Sequence, residues 1–594
     1  MMPHRIIEGR LRRAVQTILP AADTTTVLVR PCPDPAFGDY QTNAVMGLAK
    51  AHKLNPRKLA AEVAAKLDAG DLCAKVEIAG PGFMNFRLRP EAVEASLRSA
   101  ARGEHLFFEK SDPPRTVVVD FSSPNVAKPM HVGHIRSTIL GDTLSRTLRL
   151  LGHNVITDNH LGDWGTQFGM LLAGWKTILH RDALAADPLS EMERIYKSIS
   201  ARCDREKPDF DPALRERARA ELVSLQSGQE ENLAIWREMI RLSQAQFDTI
   251  YARLGVRFDH TLGESFYNPR LGQTVEDLLQ RGLATESRGA KAIFSDHSLP
   301  PQQDPFLVQR GGEWMANPLI IQKTDGAYNY ATTDLATLEH RTQIWNADEI
   351  IYVTDGRQQL HFHQLFAVFH RWHPESRTRL AHVWFGSILG EDGRPFKTRS
   401  GETIRLADLL DEAEERALRV VSEKSPDLPE AQRREIARVV GIGAVKYADL
   451  LPNRQSDYVF SWDKLLSLSG NTAPYLQYAY ARIRSIFRKG EIAEPGCRGP
   501  ETEVSPGAPA EMALAKHLLN FGLLLEAVAT EYRPNFLCGY LYDLSGLFTR
   551  FYEQCPVLKS EPAVRQSRLV LCDLTGQVLK RGLSLLGIEV LDQM

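Results

Sequence analysis

The pattern of hydrophobic and polar positions divides the chain into three regions, the first of which covers residues 1–110. It opens with apolar residues at helical spacing and continues with alternating stretches that are typical of half-buried strands. The turn signal Gly80-Pro81-Gly82 separates two such stretches, residues 75–78 and 83–88. This pattern predicts a small α+β domain.

The middle region, residues 111–405, has the pattern of a doubly wound, Rossmann-like α/β domain. Residues 116–121 form a short continuous run rich in β-branched residues, which is typical of a buried parallel strand. A loop, an amphipathic helix and a second strand-like run at 154–157 follow. Because ligands of such folds bind beyond the carboxyl ends of the strands, we expect the site there. Charged, helical residues 184–250 predict an insertion within this domain.

The third region, residues 406–594, has helical periodicity almost throughout and predicts an all-α domain. The whole chain is therefore predicted to be a multidomain α/β protein. No run of about 18 apolar residues is present that would span a bilayer, so we expect no membrane association. Seven scattered cysteines without a CxxC pair fit the reducing cytoplasm and argue against a zinc ribbon.

The net charge of the chain excludes one class of protein and leaves the predicted architecture unchanged. The chain has 72 Lys and Arg residues against 74 Asp and Glu, a formal net charge of −2. This excludes a globally basic protein that coats nucleic acid, but it does not exclude local basic patches. Any surface that binds RNA must therefore be assembled locally from arginine and lysine side chains.

The strongest candidate chemistry lies in residues 122–134, between the first strand of the middle region and its helix. His131 and His134 are one helical turn apart and can face the same bound group, while Gly133 leaves space against the backbone. The N-terminus of a helix also favours anions. Two unrelated surface histidines would give the same short motif, and a zinc site is weaker because the Glu of HExxH and a third ligand are missing. The strand–loop–helix context favours a nucleotide-binding turn.

Residues 124–134, Pro-Asn-Val-Ala-Lys-Pro-Met-His-Val-Gly-His, resemble the HIGH signature of class I aminoacyl-tRNA synthetases in the form found in arginyl-tRNA synthetases. Further strings similar to this family lie at 38–43, 80–86, 135–142, 159–169 and 471–482. The resemblance therefore extends over nearly the whole chain. It implies a Rossmann-like catalytic core, an added N-terminal domain that contacts tRNA, and a helical anticodon-binding domain.

The resemblance implies ATP-dependent ligation of L-arginine to tRNA(Arg). The arginine carboxylate would attack the α-phosphate of ATP and release pyrophosphate, and the arginyl group would then pass to the terminal adenosine of the tRNA. ATP with Mg²⁺ is the expected cofactor, with no protein-bound structural metal, and the first step is expected to wait for bound tRNA. We also expect a monomer. Two other interpretations stay open: a different class I-type nucleotidyltransferase, and an inactive relative that binds tRNA.

The resemblance also implies how phosphoryl charge is stabilised. The residues implied in catalysis are His131, His134, Lys128 and Lys397. The second class I signature, KMSKS, matches residues 396–401 only in part, because Ser400 stands at the position of its second lysine. Lys128 or Arg399 would compensate, and the sequence leaves both open. The implied ATP-binding residues are Pro124, Gly133, His131, His134, Lys397 and Arg399.

A guanidinium group is planar and always charged, so its pocket needs carboxylates and a flat ring. The residues that the family resemblance implies for binding arginine are Asn125, which would hold the α-amino end, and Glu264, Tyr330, Asp334 and Gln358. Asp334 also fits a helix N-cap before the helical run 335–341, so the residue pattern alone leaves its role open. Gln364 is an alternative to Gln358.

For RNA, the C-terminal helices combine aromatic side chains, on which unpaired bases stack, with arginines that contact phosphates. The candidates are Tyr475, Tyr478, Tyr480, Arg482, Arg484 and Arg488. The same spacing serves packing, so half of these tyrosines are expected in the core. We select Tyr475 and Arg482 as tRNA-binding residues, together with Met594, because the C-terminus resembles that of the family.

Overall fold

The computed structural model describes residues 2–394, 396, 403–492 and 502–594. These residues form two compact units. One contains the residues up to Asp112 together with those from Leu466 onward, and the other contains Pro113–Leu465. These units are groups of residues in mutual contact and do not define domain boundaries. Our division of the chain at residues 110 and 405 therefore stays a prediction.

The N-terminal part of the first unit combines helices with a small antiparallel sheet, which confirms the predicted α+β structure. Its helices are α1 (Pro3–Ile18), α2 (Ala44–Ala51), α3 (Pro56–Lys66) and α4 (Pro90–Ala101). Its strands are β1 (Arg30–Pro31), β2 (Tyr40–Thr42), β3 (Cys73–Ala79) and β4 (Phe83–Leu88), which pair in the order β1-β2-β4-β3. In the predicted turn between β3 and β4, Gly80 and Gly82 have φ of 51° and 137°, which residues with a side chain rarely adopt.

The second unit contains a parallel sheet, short antiparallel strands and many helices. Its strands are β5 (Thr116–Asp120), β6 (Asn154–Asp158), β7 (Thr285–Ser287), β8 (Ala290–Ile293), β9 (Leu307–Arg310), β10 (Glu313–Ala316), β11 (Leu319–Gln322), β12 (Glu349–Tyr352), β13 (Arg379–His382), β14 (Ile388–Leu389) and β15 (Tyr458–Val459). Its helices are α5 (Val132–Leu150), α6 (Thr166–Ile178), α7 (Arg181–Ala186), α8 (Pro188–Cys203), α9 (Pro212–Gln226), α10 (Glu230–Leu254), α11 (Glu264–Gln280), α12 (Tyr330–Gln343), α13 (Gln359–Trp372), α14 (Leu406–Lys424), α15 (Glu430–Leu450) and α16 (Trp462–Leu465).

Strands β13, β12, β5 and β6 form the parallel sheet, in that order. In its centre the fully buried Val118 pairs with Ile156 on one side and with Ile350 on the other. Helix α5 connects β5 to β6, which confirms the predicted strand–helix–strand unit. A Cβ at Gly141 of α5 would collide with the ring of Phe121, so the absent side chain permits this helix to pack closely on the sheet. The carboxyl ends of β5, β6 and β12 lie side by side, where a Rossmann-like fold binds its ligands.

The remainder of the second unit is attached to this sheet. Residues 181–254, which include the predicted insertion, contain helices α7 to α10. Strands β7, β8 and β11 form a small antiparallel sheet, and β9 and β10 form a hairpin. The sequence pattern does not predict these strands, because runs of three or four residues are too short to show alternation.

The C-terminal part of the first unit is helical, as predicted, whereas the rest of the predicted all-α region 406–594 lies in the second unit and includes the two-residue strand β15. Its helices are α17 (Ala473–Lys489), α18 (Pro509–Leu518), α19 (Phe521–Glu531), α20 (Asn535–Gln554) and α21 (Pro562–Leu585). Residues 509–531 are long and apolar enough to cross a membrane by length and composition alone. However, they form two helices, and Leu514, Leu518 and Leu525 are fully buried, as in an ordinary core helix.

Candidate active site

The nucleotide turn, residues 122–134, leads from β5 into α5 and holds its two histidines by reciprocal hydrogen bonds. His131 is the N-cap of α5: its Nδ1 accepts a bond of 3.1 Å from the backbone N–H of Gly133. Its own backbone N–H donates to Nδ1 of His134 at 3.0 Å. Because both Nδ1 atoms accept, neutral rings have their protons on Nε2. The ring centroids lie 3.9 Å apart, so the turn presents two neighbouring N–H donors at a helix N-terminus, where anions are favoured.

Gly133 is required between the two histidines for a steric reason. A Cβ at this position would lie 2.9 Å from Cε1 and 3.0 Å from Nδ1 of His131. Any side chain would therefore displace the imidazole from its capping position. The sequence prediction that Gly133 leaves space is thus consistent with the structure, although the space is used by the protein's own histidine ring.

The pKa values of both imidazoles are lowered, which favours their uncharged forms near neutral pH. Burial lowers the pKa of His134 to about 3, with a smaller contribution from His131. The pKa of His131 is also lowered, first by removal from water and then by the guanidinium of Arg357. The pair is therefore suited to donate hydrogen bonds to phosphate oxygens without carrying positive charge into the site.

The loop before the histidines has an unusual backbone. Ser122, Ser123 and Ala127 have φ of 73°, 49° and 63°, in the left-handed region that side-chain-bearing residues avoid. Such residues cost on the order of 1–3 kcal/mol each and persist only where surrounding structure holds them. One such contact is the hydrogen bond of 3.1 Å from the backbone N–H of Ser123 to Oδ1 of Asn159, which follows β6.

Helix α10 supplies further contacts to the loop through Ser243 and Tyr251. Together with Asn159, which follows β6, these residues form what we call the loop clamp. The Tyr251 hydroxyl lies 2.8 Å from Oγ of Ser122 and accepts a bond of 3.1 Å from Nδ2 of Asn159. Two turns earlier in α10, Oγ of Ser243 accepts a bond of 3.0 Å from the backbone N–H of Ala127. The clamp therefore bonds to the positions where the backbone is strained. The sequence contains no signal for Ser243 or Tyr251, since Ser243 lies in the charged insertion and Tyr251 directly follows it.

Residues after β6 join the nucleotide turn to the rest of the site. The carbonyl of Pro124 accepts a bond of 3.2 Å from the N–H of Gly162, whose carbonyl accepts one of 3.1 Å from Val126. A Cβ at Gly162 would collide with Oδ1 of Asn125, so the glycine permits this pairing. The next contact is from the backbone N–H of Glu264 to the carbonyl of Leu161, at 3.0 Å.

The residues predicted to bind arginine are Asn125, at its α-amino end, and Glu264, Tyr330, Asp334 and Gln358, and we call this set the arginine pocket. Glu264 is the first residue of α11, and burial raises its pKa to about 8. The negative charges of Asp334 and Asp163 raise this pKa further, in that order. A buried carboxylate that other carboxylates repel is stabilised when a cation enters. This part of the site is therefore arranged for a positively charged ligand.

The structure excludes the alternative role of Asp334 as a helix cap. Asn329 is the N-cap of α12, since its side chain accepts a bond of 3.0 Å from the N–H of Tyr330. Asp334 lies inside this helix and is half-buried, with its Oδ2 at 2.6 Å from Nε2 of His361. Tyr330, the first residue of α12, is 58% exposed, which leaves its ring available to a ligand.

The two glutamines differ in what their side chains already contact. The amide of Gln364 is buried and donates to the carbonyls of Pro305 and Asn317, at 3.0 and 2.7 Å. Gln358 lies in the turn before α13 and is exposed. Because the NH₂ group of Gln364 has two partners within the protein, Gln358 is the better candidate for the pocket.

Of the predicted lysines, only Lys128 lies among the described residues. Its ammonium is 4.7 Å from the ring centroid of Tyr196 on α8, a cation–π contact. Lys397, Arg399 and Ser400 lie outside the described residues. The segment that follows them returns to the nucleotide turn: the carbonyl of Ile404 accepts a bond of 2.9 Å from Val132.

A buried ion cluster connects the strand ends to α12. One Nη of Arg341 lies 2.7 Å from a carboxylate oxygen of both Asp120 and Asp158, the last residues of β5 and β6. Arg341 is fully buried, and its guanidinium is 5.2 Å from the ring centroid of Tyr352. Sequence analysis did not identify this cluster. An aspartate at the end of an apolar strand was the available signal, but nothing in the sequence indicates its distant partner.

The predicted tRNA-binding residues lie in the first unit. Tyr475 is half-buried near the start of α17, with its ring centroid 5.7 Å from that of Tyr542. The guanidinium of Arg482 lies 5.1 Å from the ring centroid of Tyr552. Both side chains are thus partly engaged in aromatic contacts within the unit. Their part in RNA binding stays a proposal.

Met594 ends a C-terminal tail that is held against α17. The hydroxyl of Tyr480 donates to Asp592 at 3.1 Å, and Arg488 donates to the backbone carbonyl of Asp592 at 2.7 Å. Tyr480 is buried and so belongs to the tyrosines that serve packing, whereas Tyr478 is 47% exposed. Tyr478 is therefore a better-placed stacking candidate on this helix than the sequence analysis recognised.

Three family models match the chain in consecutive segments. The model described as tRNA synthetases class I (R), catalytic domain, matches residues 97–462. The arginyl tRNA synthetase N-terminal domain matches residues 5–88, and the DALR anticodon binding domain matches residues 476–594. The catalytic model alone covers more than half of the chain.

Curated relatives and solved structures match over the full length. The arginine–tRNA ligase of Thermosynechococcus vestitus is 48% identical over 603 residues and covers 100% of both chains. That of Hahella chejuensis is 46% identical over 579 residues and covers 97% of each. The Thermus thermophilus arginyl-tRNA synthetase structure has a TM-score of 0.81 at 26% identity and covers 100% of both chains. The structure from Plasmodium falciparum has a TM-score of 0.80 at 28% identity and covers 100% of this chain and 99% of its own.

Proposed function

The chain belongs to the class I arginyl-tRNA synthetase family, and from that membership we propose that it ligates L-arginine to tRNA(Arg) with ATP. The observation that supports this most directly is the adjacency of the nucleotide turn and the arginine pocket within one compact unit. Residues 161–162 join the two, because Gly162 pairs with the loop at Pro124 while Leu161 accepts a bond from Glu264.

In the first step, an oxygen of the arginine carboxylate forms a bond to the α-phosphorus of ATP as the bond to the pyrophosphate oxygen breaks. The products are arginyl-adenylate and pyrophosphate, and no covalent bond to the protein is needed. Catalysis therefore consists of positioning and of stabilising phosphoryl charge. ATP enters with Mg²⁺, which neutralises part of that charge.

The nucleotide turn provides the hydrogen-bond donors for this step. His131 and His134 present Nε2–H groups to phosphate oxygens, and Lys128 and Lys397 add positive charge where it builds up on the pyrophosphate. The proposed ATP-binding residues are Pro124, Gly133, His131, His134, Lys397 and Arg399. The position of Lys128 in the nucleotide turn, three residues before His131, supports it as the substitute for the second signature lysine.

The arginine pocket selects the amino acid by charge and shape. Glu264 and Asp334 meet the guanidinium, the Tyr330 ring lies against its flat face, and Gln358 completes the contacts. Asn125, within the nucleotide turn, holds the α-amino end. An amino acid without a guanidinium would leave the buried carboxylates unpaired, so an editing site is not needed.

In the second step, a hydroxyl of the terminal adenosine of tRNA(Arg) attacks the arginyl carbonyl carbon, and AMP leaves. Tyr475, Arg482 and Met594 contact the tRNA, with bases stacking on the tyrosine and phosphates meeting the arginine. We further propose that the first step requires bound tRNA. The protein is proposed to act as a monomer in the cytoplasm, without membrane association.

The test is aminoacylation of total tRNA with each labelled amino acid in turn. We expect label to enter tRNA with arginine alone and only when ATP is present. Charging with a different amino acid would contradict the proposed pocket. Adenylate formation on a small metabolite without tRNA charging would instead favour a nucleotidyltransferase of another type.

A further inference from the structure

His361 contacts two side chains of the arginine pocket from the first turn of α13. Its Nε2 lies 2.6 Å from Oδ2 of Asp334. Its ring is edge-on to that of Tyr330, with centroids 4.8 Å apart and planes at 67°. Only 13% of the His361 side chain and 24% of the Asp334 side chain are exposed, so water does not readily replace this bond. One histidine therefore holds both a carboxylate and the flat ring of the pocket.

The surroundings of His361 determine which of its nitrogens holds the proton. Among the residues that the structure describes, no hydrogen-bond partner faces its buried Nδ1. A proton on Nδ1 would be a buried donor without an acceptor, which is unfavourable. The neutral ring therefore has its proton on Nε2, where it is donated to the carboxylate.

This arrangement has two consequences for a guanidinium ligand. The bond to Oδ2 fixes the plane of the Asp334 carboxylate and leaves Oδ1 for the ligand. The imidazole also lacks the permanent charge and long side chain of Lys or Arg, either of which at position 361 would repel the guanidinium and compete for the same carboxylate. The edge-on contact likewise limits the orientations open to the exposed Tyr330 ring.

We propose that His361 is a positioning residue for arginine recognition, which orients the Asp334 carboxylate and the Tyr330 ring toward the guanidinium. This inference rests on the proposed function and names a further determinant of its substrate affinity. His361 itself need not touch the substrate, so its removal should act on arginine binding and spare ATP binding.

The test compares three variants in ATP–pyrophosphate exchange with tRNA present, varying arginine and ATP separately. His361→Phe keeps a ring against Tyr330 but removes the donor. His361→Gln places an amide N–H near the position of Nε2. His363→Phe is the matched control, because His363 is exposed on the same helix two residues further on.

We expect His361→Phe to raise the KM for arginine about 10- to 150-fold, the usual range for losing a hydrogen bond to a charged group. Its kcat and its KM for ATP should stay within about threefold. His361→Gln should recover most of the arginine affinity, and the control should match the wild type. If the phenylalanine variant does not fold, His361→Asn, whose amide is too short to reach Asp334, should show the same rise.

An unchanged KM for arginine in the folded Phe or Asn variant would overturn the proposal. So would an equal rise in both KM values, or a Gln variant that recovers nothing, since these results indicate a purely structural role. Absence of exchange in the wild type is a different outcome, because it would overturn the proposed function itself and this inference with it.

Discussion

The nucleotide turn and the arginine pocket lie near the same ends of the parallel sheet but are built in opposite ways. The turn is one contiguous segment, in which His131 and His134 are held by bonds to the local backbone. The pocket is assembled from separate elements: Glu264 begins α11, Asp334 lies in α12, and Gln358 precedes α13. Local hydrogen bonds therefore form the first part, and tertiary packing forms the second.

The nucleotide turn and the arginine pocket also differ in their electrostatics. Burial lowers the pKa of His134 to about 3, so the imidazole of His134 is uncharged near neutral pH. In the pocket, burial and the neighbouring carboxylates of Asp334 and Asp163 raise the pKa of Glu264 to about 8, so acidic groups lie close together there. The turn is suited to spread phosphate charge over neutral donors, whereas the pocket requires a cation to balance its own charge.

The largest effect is expected where a charge is removed from the pocket. Asp334→Asn keeps the shape of the side chain and should lower kcat/KM for arginine about 1000-fold, because losing one partner of a buried charge pair costs about 2–5 kcal/mol. Pyrophosphate exchange with arginine varied gives this value. Asp325→Asn, in the exposed segment before α12, is the matched control and should stay within about twofold. If this variant lost affinity for ATP as much as for arginine, the nucleotide turn and the arginine pocket would not be separate parts of the site.

Removal of a donor from the nucleotide turn should have the next largest effect. His134→Ala removes one N–H donor and the acceptor for the His131 backbone, so adenylate formation should fall about 100-fold. Exchange assays measure this, and filter binding measures tRNA affinity, which should be nearly unchanged. A parallel loss of tRNA binding would indicate that the substitution disturbs more than the turn.

A smaller effect is expected when the turn loses its support from α10. Tyr251→Phe removes the hydroxyl that bonds to Ser122 and Asn159, which should raise the KM for ATP about five- to tenfold. The KM for arginine should change less than twofold. Thr249→Ala removes a hydroxyl from an exposed position of the same helix and should have no effect on either KM. If arginine and ATP affinities fall together, the clamp supports the whole site.

The smallest expected effect is a pH dependence of the KM for arginine. Since the pKa of Glu264 is raised from 4.5 to about 8, this carboxyl holds a proton near neutral pH that arginine must displace. The KM for arginine should therefore fall by less than tenfold between about pH 7 and 8 and then level off, while the KM for ATP stays constant. Glu264→Gln should abolish this slope. A slope that persists in that variant would assign it to another group.

The same pKa shift sets the sign of a stability effect. A carboxyl whose folded pKa is raised contributes stability below its unfolded pKa, and that contribution is lost as the pH rises through the folded value. For Glu264 the loss extends from about 4.5 to about 8. Added arginine should therefore raise the Tm more at pH 8 than at pH 6, as thermal unfolding with and without arginine would measure.

The two parts of the site also differ in how far they follow from sequence. The turn was predicted from Gly133 and its flanking histidines because the determining contacts are local in the chain. The pocket was assigned only through family resemblance, since Glu264 and Asp334 are 70 residues apart and each fits an ordinary surface or capping role. Their adjacency depends on the packing of α11 and α12 on the sheet, which periodicity does not show.

Other features could not be predicted from the sequence because they also depend on contacts between residues far apart in the chain. Tyr251 and Ser243 lie more than a hundred residues from the loop that they hold, in a segment whose composition predicts only a solvated helix. The partners of Arg341 are at the ends of two separate strands. The overall architecture was predictable because apolar periodicity specifies helices and strands, whereas long-range polar contacts have no periodic signature.

The most direct test of the account is arginine-dependent ATP–pyrophosphate exchange, measured with and without tRNA. We predict exchange that requires both arginine and tRNA. Exchange with arginine alone would retain the activity and contradict its dependence on tRNA. No exchange with any amino acid, in the presence of tRNA, would contradict the account as a whole.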